Sequence, residues 1–353
     1  MLNNITSISP GKAILFGEHF VVYGYSSIIF AIDKKFRINL NFIRADKNQK
    51  QNKINIFSNL GFSAKIVDSK ISMPDNLLMY FNIVNNLKNV IEYLINSTGY
   101  DIFHNNKRNL NIYINSEIPI GGGLGSSAAF CVSLIACFYY SLNQKIDKTL
   151  ICEKSIEAEK IINKDTSGID CTICTFGGLG IYDKLTGFKK LRLDIYDFPF
   201  LIIDSGITHD TFEMINQVKK IKENNIELFN NMCQEYERIF SSSITSLKYK
   251  NLENLGILMD ENHSILKKLC LSNSVIEKIV KICQSGGTFG TKITGSGGGG
   301  CILSLIDNDE RLHVNRLLKR LDELKLRYFF SKPDEDGVMI EKTNTSTRLD
   351  KNI

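Results

Sequence analysis

The segment Pro119-Ile120-Gly121-Gly122-Gly123-Leu124-Gly125-Ser126-Ser127-Ala128-Ala129 sets four glycines and two serines between a strand-like stretch and an apolar, helix-like one. Glycines let the backbone curl so that several N–H groups point inward, and a helix N-terminus adds partial positive charge. The segment therefore reads as an anion cradle, most often for phosphate. Ser126 and Ser127 add hydroxyls for phosphate oxygens or for Mg²⁺. A tight turn with a serine N-cap is the plainer alternative. Gly123-x-Gly125-x-x-Ala128 also matches a dinucleotide fingerprint. That motif needs a second strand after the helix, with an acid about 20 residues on; a second helical segment follows here instead, which disfavours NAD. Gly-x-x-x-x-Gly-Lys-Ser/Thr is absent, as are the protein-kinase catalytic-loop and Asp-Phe-Gly signatures.

Glu159 is the next anomaly. The apolar stripe of the helical segment from Lys148 to Asn163 runs Cys152, Ser155, Ile156, Glu159, Ile162, which puts one carboxylate on the face turned inward. Such a carboxylate needs a basic side chain or a metal as partner. Asp170, in Thr166-Ser167-Gly168-Ile169-Asp170-Cys171, follows a Ser-Gly turn and is open to two readings, a helix N-cap or a reactive carboxylate. Ser9-Pro10-Gly11-Lys12 precedes a strand and Gly17-Glu18-His19 follows it; taken singly, these residues are unremarkable. Lys292-Ile293-Thr294-Gly295-Ser296-Gly297-Gly298-Gly299-Gly300-Cys301 joins two strands with too many glycines for a plain hairpin, so it reads as a second phosphate- or substrate-facing loop.

The elements that must hold these residues follow from pattern. Strands are expected at Ala13 to Phe16, Ser27 to Ile32, Phe36 to Phe42, Ile54 to Ser58, Phe62 to Val67 and Asn109 to Asn115, with a helix from Pro74-Asp75 to about Ser97. Helices from Ser126 to Leu142 and Lys148 to Asn163 follow, then a strand near Leu179 to Tyr182. Beyond an apolar run from Phe198 to Asp204, the text is helical from Asp210 to about Gln284. Strands near Thr288 to Thr294 and Cys301 to Ile306, a helix from Asp307 to about Leu324, and strands near Arg327 to Ser331 and Gly337 to Glu341 close the fold. This order suggests an α+β chain of two domains, 1–194 and 195–342, with a polar tail at 343–353.

With 353 residues, Lys+Arg 43 against Asp+Glu 38 and a net charge of +5, the chain has no basic run suited to a phosphate backbone, so no nucleic-acid partner is expected. Hydrophobic content of 43% and 23% charged residues describe a folded globular protein. The opening segment lacks a signal-peptide pattern, and glycines break the charge-free stretch between Glu117 and Lys145, so a buried helix rather than a membrane span is expected there. The nine cysteines read as reduced core residues of a cytoplasmic protein, and the lone Cys171-x-x-Cys174 is weak support for a metal.

In combination and order, Pro10-Gly11-Lys12 through Gly24, Pro119 through Ala129, and Lys292 through Cys301 resemble the GHMP small-molecule kinases. Within that superfamily, Gly17-Glu18-His19-Phe20-Val21-Val22-Tyr23-Gly24, and Ser167-Gly168-Ile169-Asp170 followed by Thr175-Phe176-Gly177-Gly178, are similar to the mevalonate kinase pattern. The resemblance implies an N-terminal domain like ribosomal protein S5 domain 2 and a ferredoxin-like C-terminal domain, with the site between them. It implies ATP-dependent phosphorylation of the 5-hydroxyl of mevalonate in isoprenoid precursor synthesis, and a homodimer is common in the family. Carried over residue by residue, it makes Asp170 the catalytic base and Lys12 its partner, which stabilises the nascent alkoxide. Ser127 and Glu159 would hold Mg²⁺. Gly121, Gly122, Gly123, Leu124, Gly125, Ser126, Ser127 and Ala128 would cradle ATP phosphates, and Gly295, Ser296, Gly297 and Gly298 would close on the γ-phosphate side. Glu18, His19 and Thr211 would bind the acceptor.

One departure stands out. Many members place a basic residue and a Thr after the strand ending at Asp204, whereas this chain reads Ser205-Gly206-Ile207-Thr208-His209-Asp210-Thr211. The rival readings are another GHMP kinase such as phosphomevalonate kinase, whose phosphorylated acceptor would need more Lys or Arg than the motifs supply, and a catalytically silent ligand sensor. A sensor could dispense with Asp170, Lys12 and Glu159, all of which are present.

Overall fold

A computed structural model describes residues 4–44, 53–98, 108–164, 166–193, 198–208, 210–307 and 311–341. The expected domain boundary near 195 and the tail at 343–353 lie outside the described residues. In chain order the elements are β1 (Asn4–Phe16), a 3₁₀ turn (Phe20–Tyr23), β2 (Ser27–Arg44), β3 (Lys53–Ser58), β4 (Ser63–Val67), β5 (Lys70–Ser72), a second 3₁₀ turn (Asp75–Tyr80), α1 (Phe81–Thr98), β6 (Arg108–Ser116), α2 (Ser126–Asn143), α3 (Lys148–Ile162), α4 (Ile169–Phe176), β7 (Leu179–Asp183) and β8 (Gly187–Lys190). Then come β9 (Phe200–Asp204), α5 (Thr211–Asn224), α6 (Ile226–Lys248), α7 (Leu252–Lys268), α8 (Ser274–Gln284), β10 (Thr288–Ile293), β11 (Cys301–Ile306), α9 (Arg311–Glu323), β12 (Arg327–Ser331) and β13 (Met339–Glu341).

The first sheet runs β13-β1-β2-β6-β3-β4-β5, with β7 and β8 extending from the first half of β2. Only the β3–β6 pair in it is parallel. Besides β1 on one edge, the 18-residue β2 serves two partners on the other because it is long: Ser27 to Phe30 pair with β7, and Phe36 onward with β6. Pro10 and Gly11, expected ahead of a strand, lie inside β1 at a register shift against β2. A bulge there tolerates the missing proline N–H. The helix expected from Pro74-Asp75 begins as a 3₁₀ turn and becomes α-helical only at Phe81.

The second sheet, β10-β11-β9-β12, is antiparallel throughout, with α5 to α8 between its first and second strands and α9 before its last. That β-helices-β-β-α-β order and strand arrangement are ferredoxin-like. β13 leaves this sheet and pairs with β1 through Thr6↔Glu341 and Ile8↔Met339, so the chain ends the described fold back on the first sheet.

α2 explains why the charge-free stretch reads as it does. It is long and apolar enough to cross a bilayer, yet Ala128 to Phe138 are all buried. Burial of Phe130, Leu134, Ile135 and Phe138 alone is worth roughly 1.5–3 kcal/mol each. This core helix fixes the direction of its own N-terminus, and with it the glycine loop that precedes it.

Candidate active site

The glycine loop delivers the chain to α2 with Gly125 at the N-cap, φ 72°, and no side-chain cap. The serine N-cap reading is therefore set aside: Ser126 and Ser127 are the first residues of the helix, and no side chain occupies the first-turn N–H groups. A Cβ on Gly125 would lie 2.8 Å from Lys12 Cγ, so glycine is what lets the lysine pass. Gly121, Gly122, Gly123, Gly125, Ser126 and Ser127 line a cavity of about 430 Å³ shared with Lys12, Glu159, Asp170, Thr211, Gly295 and Ser296.

Lys12, on β1, reaches Asp170 with Nζ 3.1 Å from Oδ1; the lysine side chain is 6% exposed and the aspartate 25%. Asp170 is not an N-cap. Gly168 holds that position, without a side-chain bond, and Asp170 sits in the first turn of α4, where helix polarity favours its charge.

Glu159 is buried on α3, as its inward stripe implied. Its Oε1 accepts from Ser127 Oγ at 3.2 Å, and its Oε2 accepts from Thr166 Oγ1 at 2.7 Å and from Cys171 Sγ at 3.2 Å. Among the described residues, no basic side chain pairs with it. Burial, followed by the charge of Asp170, holds its pKa above the usual carboxylate value, and the three hydrogen bonds only partly offset this. An anionic carboxylate in that state has high affinity for a cation. No three His, Cys, Asp or Glu side chains converge as a metal site among the described residues, at Glu159 or elsewhere, and Cys171 and Cys174 are buried free thiols.

On the opposite wall His19 Nε2 lies 2.7 Å from the Ser296 carbonyl oxygen. A carbonyl only accepts, so Nε2 carries the proton. Burial lowers the pKa of His19, leaving a neutral ring whose Nδ1 is an acceptor. Thr211 Oγ1, in the first turn of α5, is 3.3 Å from Ser296 Oγ. Glu18 forms part of the wall, but its carboxylate is fully buried against Lys292 and has no solvent exposure.

Four residues expected to cradle phosphates do not line the cavity. Ala128 and Leu124 are buried in the core, Leu124 accepting from the Lys12 N–H at 2.9 Å. Gly297 and Gly298 face the other way, where a Cβ would meet the Leu271 carbonyl oxygen at 2.7 Å or Met214 Sδ at 2.5 Å. Close packing and a positive φ, 77° and 74°, both call for glycine at those two positions. Thr166 and Cys171 escaped the sequence reading because their bond to Glu159 is tertiary. So did the apolar end of the cavity, formed by Phe36, Leu60, Phe62, Ile83, Leu87 and Phe130. Ile83 and Leu87 recur at the apolar helical spacing of α1, a pattern that marks core and shows no opening in it.

Comparison with known proteins accords with this geometry. The GHMP kinases N terminal domain matches residues 85–178 and the GHMP kinases C terminal domain matches residues 243–322. A mevalonate kinase of Methanocaldococcus jannaschii is 33% identical over 326 residues, 91% of this chain and 97% of that protein. The chain belongs to the mevalonate kinase family of GHMP kinases. The crystal structure of the Methanococcus jannaschii mevalonate kinase superposes with a TM-score of 0.76 at 30% identity, covering 93% of this chain and 98% of that one. That of L. major mevalonate kinase in complex with R-mevalonate gives 0.77 at 23% identity, covering 93% and 95%. The family's two-domain fold is thus the fold described above.

Proposed function

We propose that this chain transfers the γ-phosphoryl group of ATP to the 5-hydroxyl of (R)-mevalonate, giving 5-phosphomevalonate for isoprenoid precursor synthesis. The observation that carries the reading is that the Lys12–Asp170 pair and the uncapped, glycine-lined N-terminus of α2 line one cavity together. The names of the relatives, and the mevalonate bound to the L. major enzyme, supply the acceptor.

An alcohol is a weak nucleophile until its proton is taken. Asp170 accepts that proton as the O–P bond forms, and Lys12 holds the developing alkoxide with its ammonium. The ADP oxygen leaves with the bonding pair. The α2 N–H groups and the Gly121–Gly125 loop offset the negative charge of the phosphates, and this positioning supplies most of the acceleration. The apolar end of the cavity suits the adenine ring. His19 Nδ1 accepts from an acceptor hydroxyl, and Thr211 and Ser296 donate to the acceptor's polar end.

Ser127 and Glu159 offer the hard oxygen donors that suit Mg²⁺, and the unpaired buried carboxylate of Glu159 is the group a cation would satisfy. Bound there, Mg²⁺ would neutralise phosphate charge. A phosphorylated acceptor fits less well: among the described lining residues Lys12 is the one lysine or arginine, and it is engaged by Asp170. Nine free cysteines, all but Cys270 buried, support a reducing compartment such as the cytoplasm.

The test is ADP release with Mg·ATP and mevalonate, 5-phosphomevalonate, galactose or homoserine as acceptor. Turnover restricted to mevalonate is expected. Turnover on another acceptor alone would move the protein within the superfamily, and ATP binding without turnover would favour a sensor.

A further inference from the structure

Lys292 lies in β10, in the second sheet, yet its side chain has no solvent exposure and ends on Glu18, which follows β1 of the first sheet and is equally buried. Its Nζ donates to Glu18 Oε1 and to the Ile293 carbonyl oxygen at 2.7 Å. Burying an acid and a base together costs desolvation on both sides, so such a pair is poor value as mere stabilisation; its best-attested use is to fix one arrangement over others.

What it fixes is visible in its neighbours. Thr294, two residues on, accepts from the Ile14 N–H at 2.9 Å and donates to the Ile14 carbonyl oxygen at 3.1 Å. Ser296, two further on, accepts through its carbonyl from His19 Nε2 at 2.7 Å. Lys292, Thr294 and Ser296 thus form one row of contacts with Glu18, Ile14 and His19. The turn they grip is unusual: Gly17 has φ 107°, and His19, a non-glycine residue, has φ 60°. A backbone of that kind persists only where its surroundings over-determine it. Lys292 is the one charged member of the row and grips the centre of the turn.

We propose that Lys292 is a positioning residue of the acceptor site, holding the Gly17-Glu18-His19 turn so that His19 faces the acceptor. The inference rests on the mevalonate kinase reading above. Lys292 does not line the cavity, and it acts through Glu18 and His19, which do.

The test is Lys292→Met in the full chain, followed by steady-state kinetics for both substrates, a fluorescent-nucleotide titration and a thermal melt. The expected result is a rise of about tenfold or more in KM for mevalonate, with KM for ATP and nucleotide affinity changed by less than about threefold. Loss of general structure would instead raise both KM values together, in step with a lowered Tm, and that outcome overturns the inference. So does a folded variant whose mevalonate KM stays within about twofold of wild type. If the Met variant does not fold, Lys292→Gln retains a neutral donor towards Glu18. The same selective rise is expected from it, and an unchanged mevalonate KM refutes the role. A wild-type chain that turns over no mevalonate overturns the functional reading and this inference together, whereas wild-type turnover with unaffected Lys292 variants overturns this inference alone.

Discussion

Asp170→Asn separates the chemistry of the site from its architecture. Asparagine keeps the size of the side chain and an oxygen that can face Lys12 Nζ, now 3.1 Å from Oδ1, but it cannot take a proton. General-base catalysis contributes about 10²–10⁴ in rate, and loss of the charge beside Lys12 places this substitution at the upper end. A fall in kcat of about 10³–10⁴ is expected, equivalent to roughly 4–5.5 kcal/mol in the barrier at 1.36 kcal/mol per decade. The structure adds a second, opposite readout. After burial, the charge of Asp170 is the main cause that raises the pKa of Glu159. Neutralising Asp170 relieves that repulsion, so the Asn variant should bind Mg·ATP at least as well as wild type. Quenched-flow or coupled kinetics give kcat, and nucleotide titration at several Mg²⁺ concentrations gives the binding side. Near-normal turnover, or loss of nucleotide binding along with turnover, would refute the assignment of Asp170 as a base that stands apart from the phosphate cradle.

Further expectations concern the carboxylates and the glycine loop. Glu159→Gln should raise the Mg²⁺ concentration needed for half-maximal activity, and it should also stabilise the ligand-free protein at neutral pH. Because burial lifts the folded-state pKa above the usual 4.5, the native wild type binds the extra proton and loses stability as pH rises through that window; the Gln variant lacks this slope, and melts at pH 5 and pH 8 would show it. An unchanged Mg²⁺ titration would count against Glu159 as a metal ligand. Gly125→Ala puts a Cβ 2.8 Å from Lys12 Cγ at φ 72°, so kcat should drop about 10- to 100-fold with the fold retained by circular dichroism. On the far side of β10, burial would raise Glu277, but hydrogen bonds from Lys267, Ser272 and His263 outweigh it and hold the pKa at about 2 against the usual 4.5. That difference stabilises the fold above pH 4.5, and the stabilisation is lost as pH falls towards 2. Acid titration of the stability of Glu277→Gln should show a flatter profile than that of wild type.

The parts of this site that were legible in the sequence are those where residue type breaks a local pattern. Glu159 interrupts an apolar stripe, and the glycines of 121–125 interrupt a strand-to-helix passage; each anomaly has a local cause that the structure displays. Strand limits such as Cys301–Ile306 and Arg327–Ser331 were readable because apolar, β-branched or aromatic runs end there at turn residues. Features set by distant partners were not readable. Pro10 and Gly11 look like the prelude to a strand, and only pairing with β2 reveals a bulge within one. Glycine serves close packing and anion cradles equally well, so the nearness of Leu271 and Met214 to Gly297 and Gly298 was not readable from residue type. The bonds of Thr166 and Cys171 to Glu159, the return of β13 to the first sheet, and the burial of Lys292 all depend on how separate segments meet.

The most direct measurement is phosphorus and carbon NMR of the products formed from Mg·ATP and (R)-mevalonate labelled with ¹³C at C5. The account predicts consumption of both substrates and a phosphorus-coupled C5 resonance, abolished in Asp170→Asn. A phosphate on any other oxygen, or ATP bound with the labelled acceptor left untouched, would contradict it.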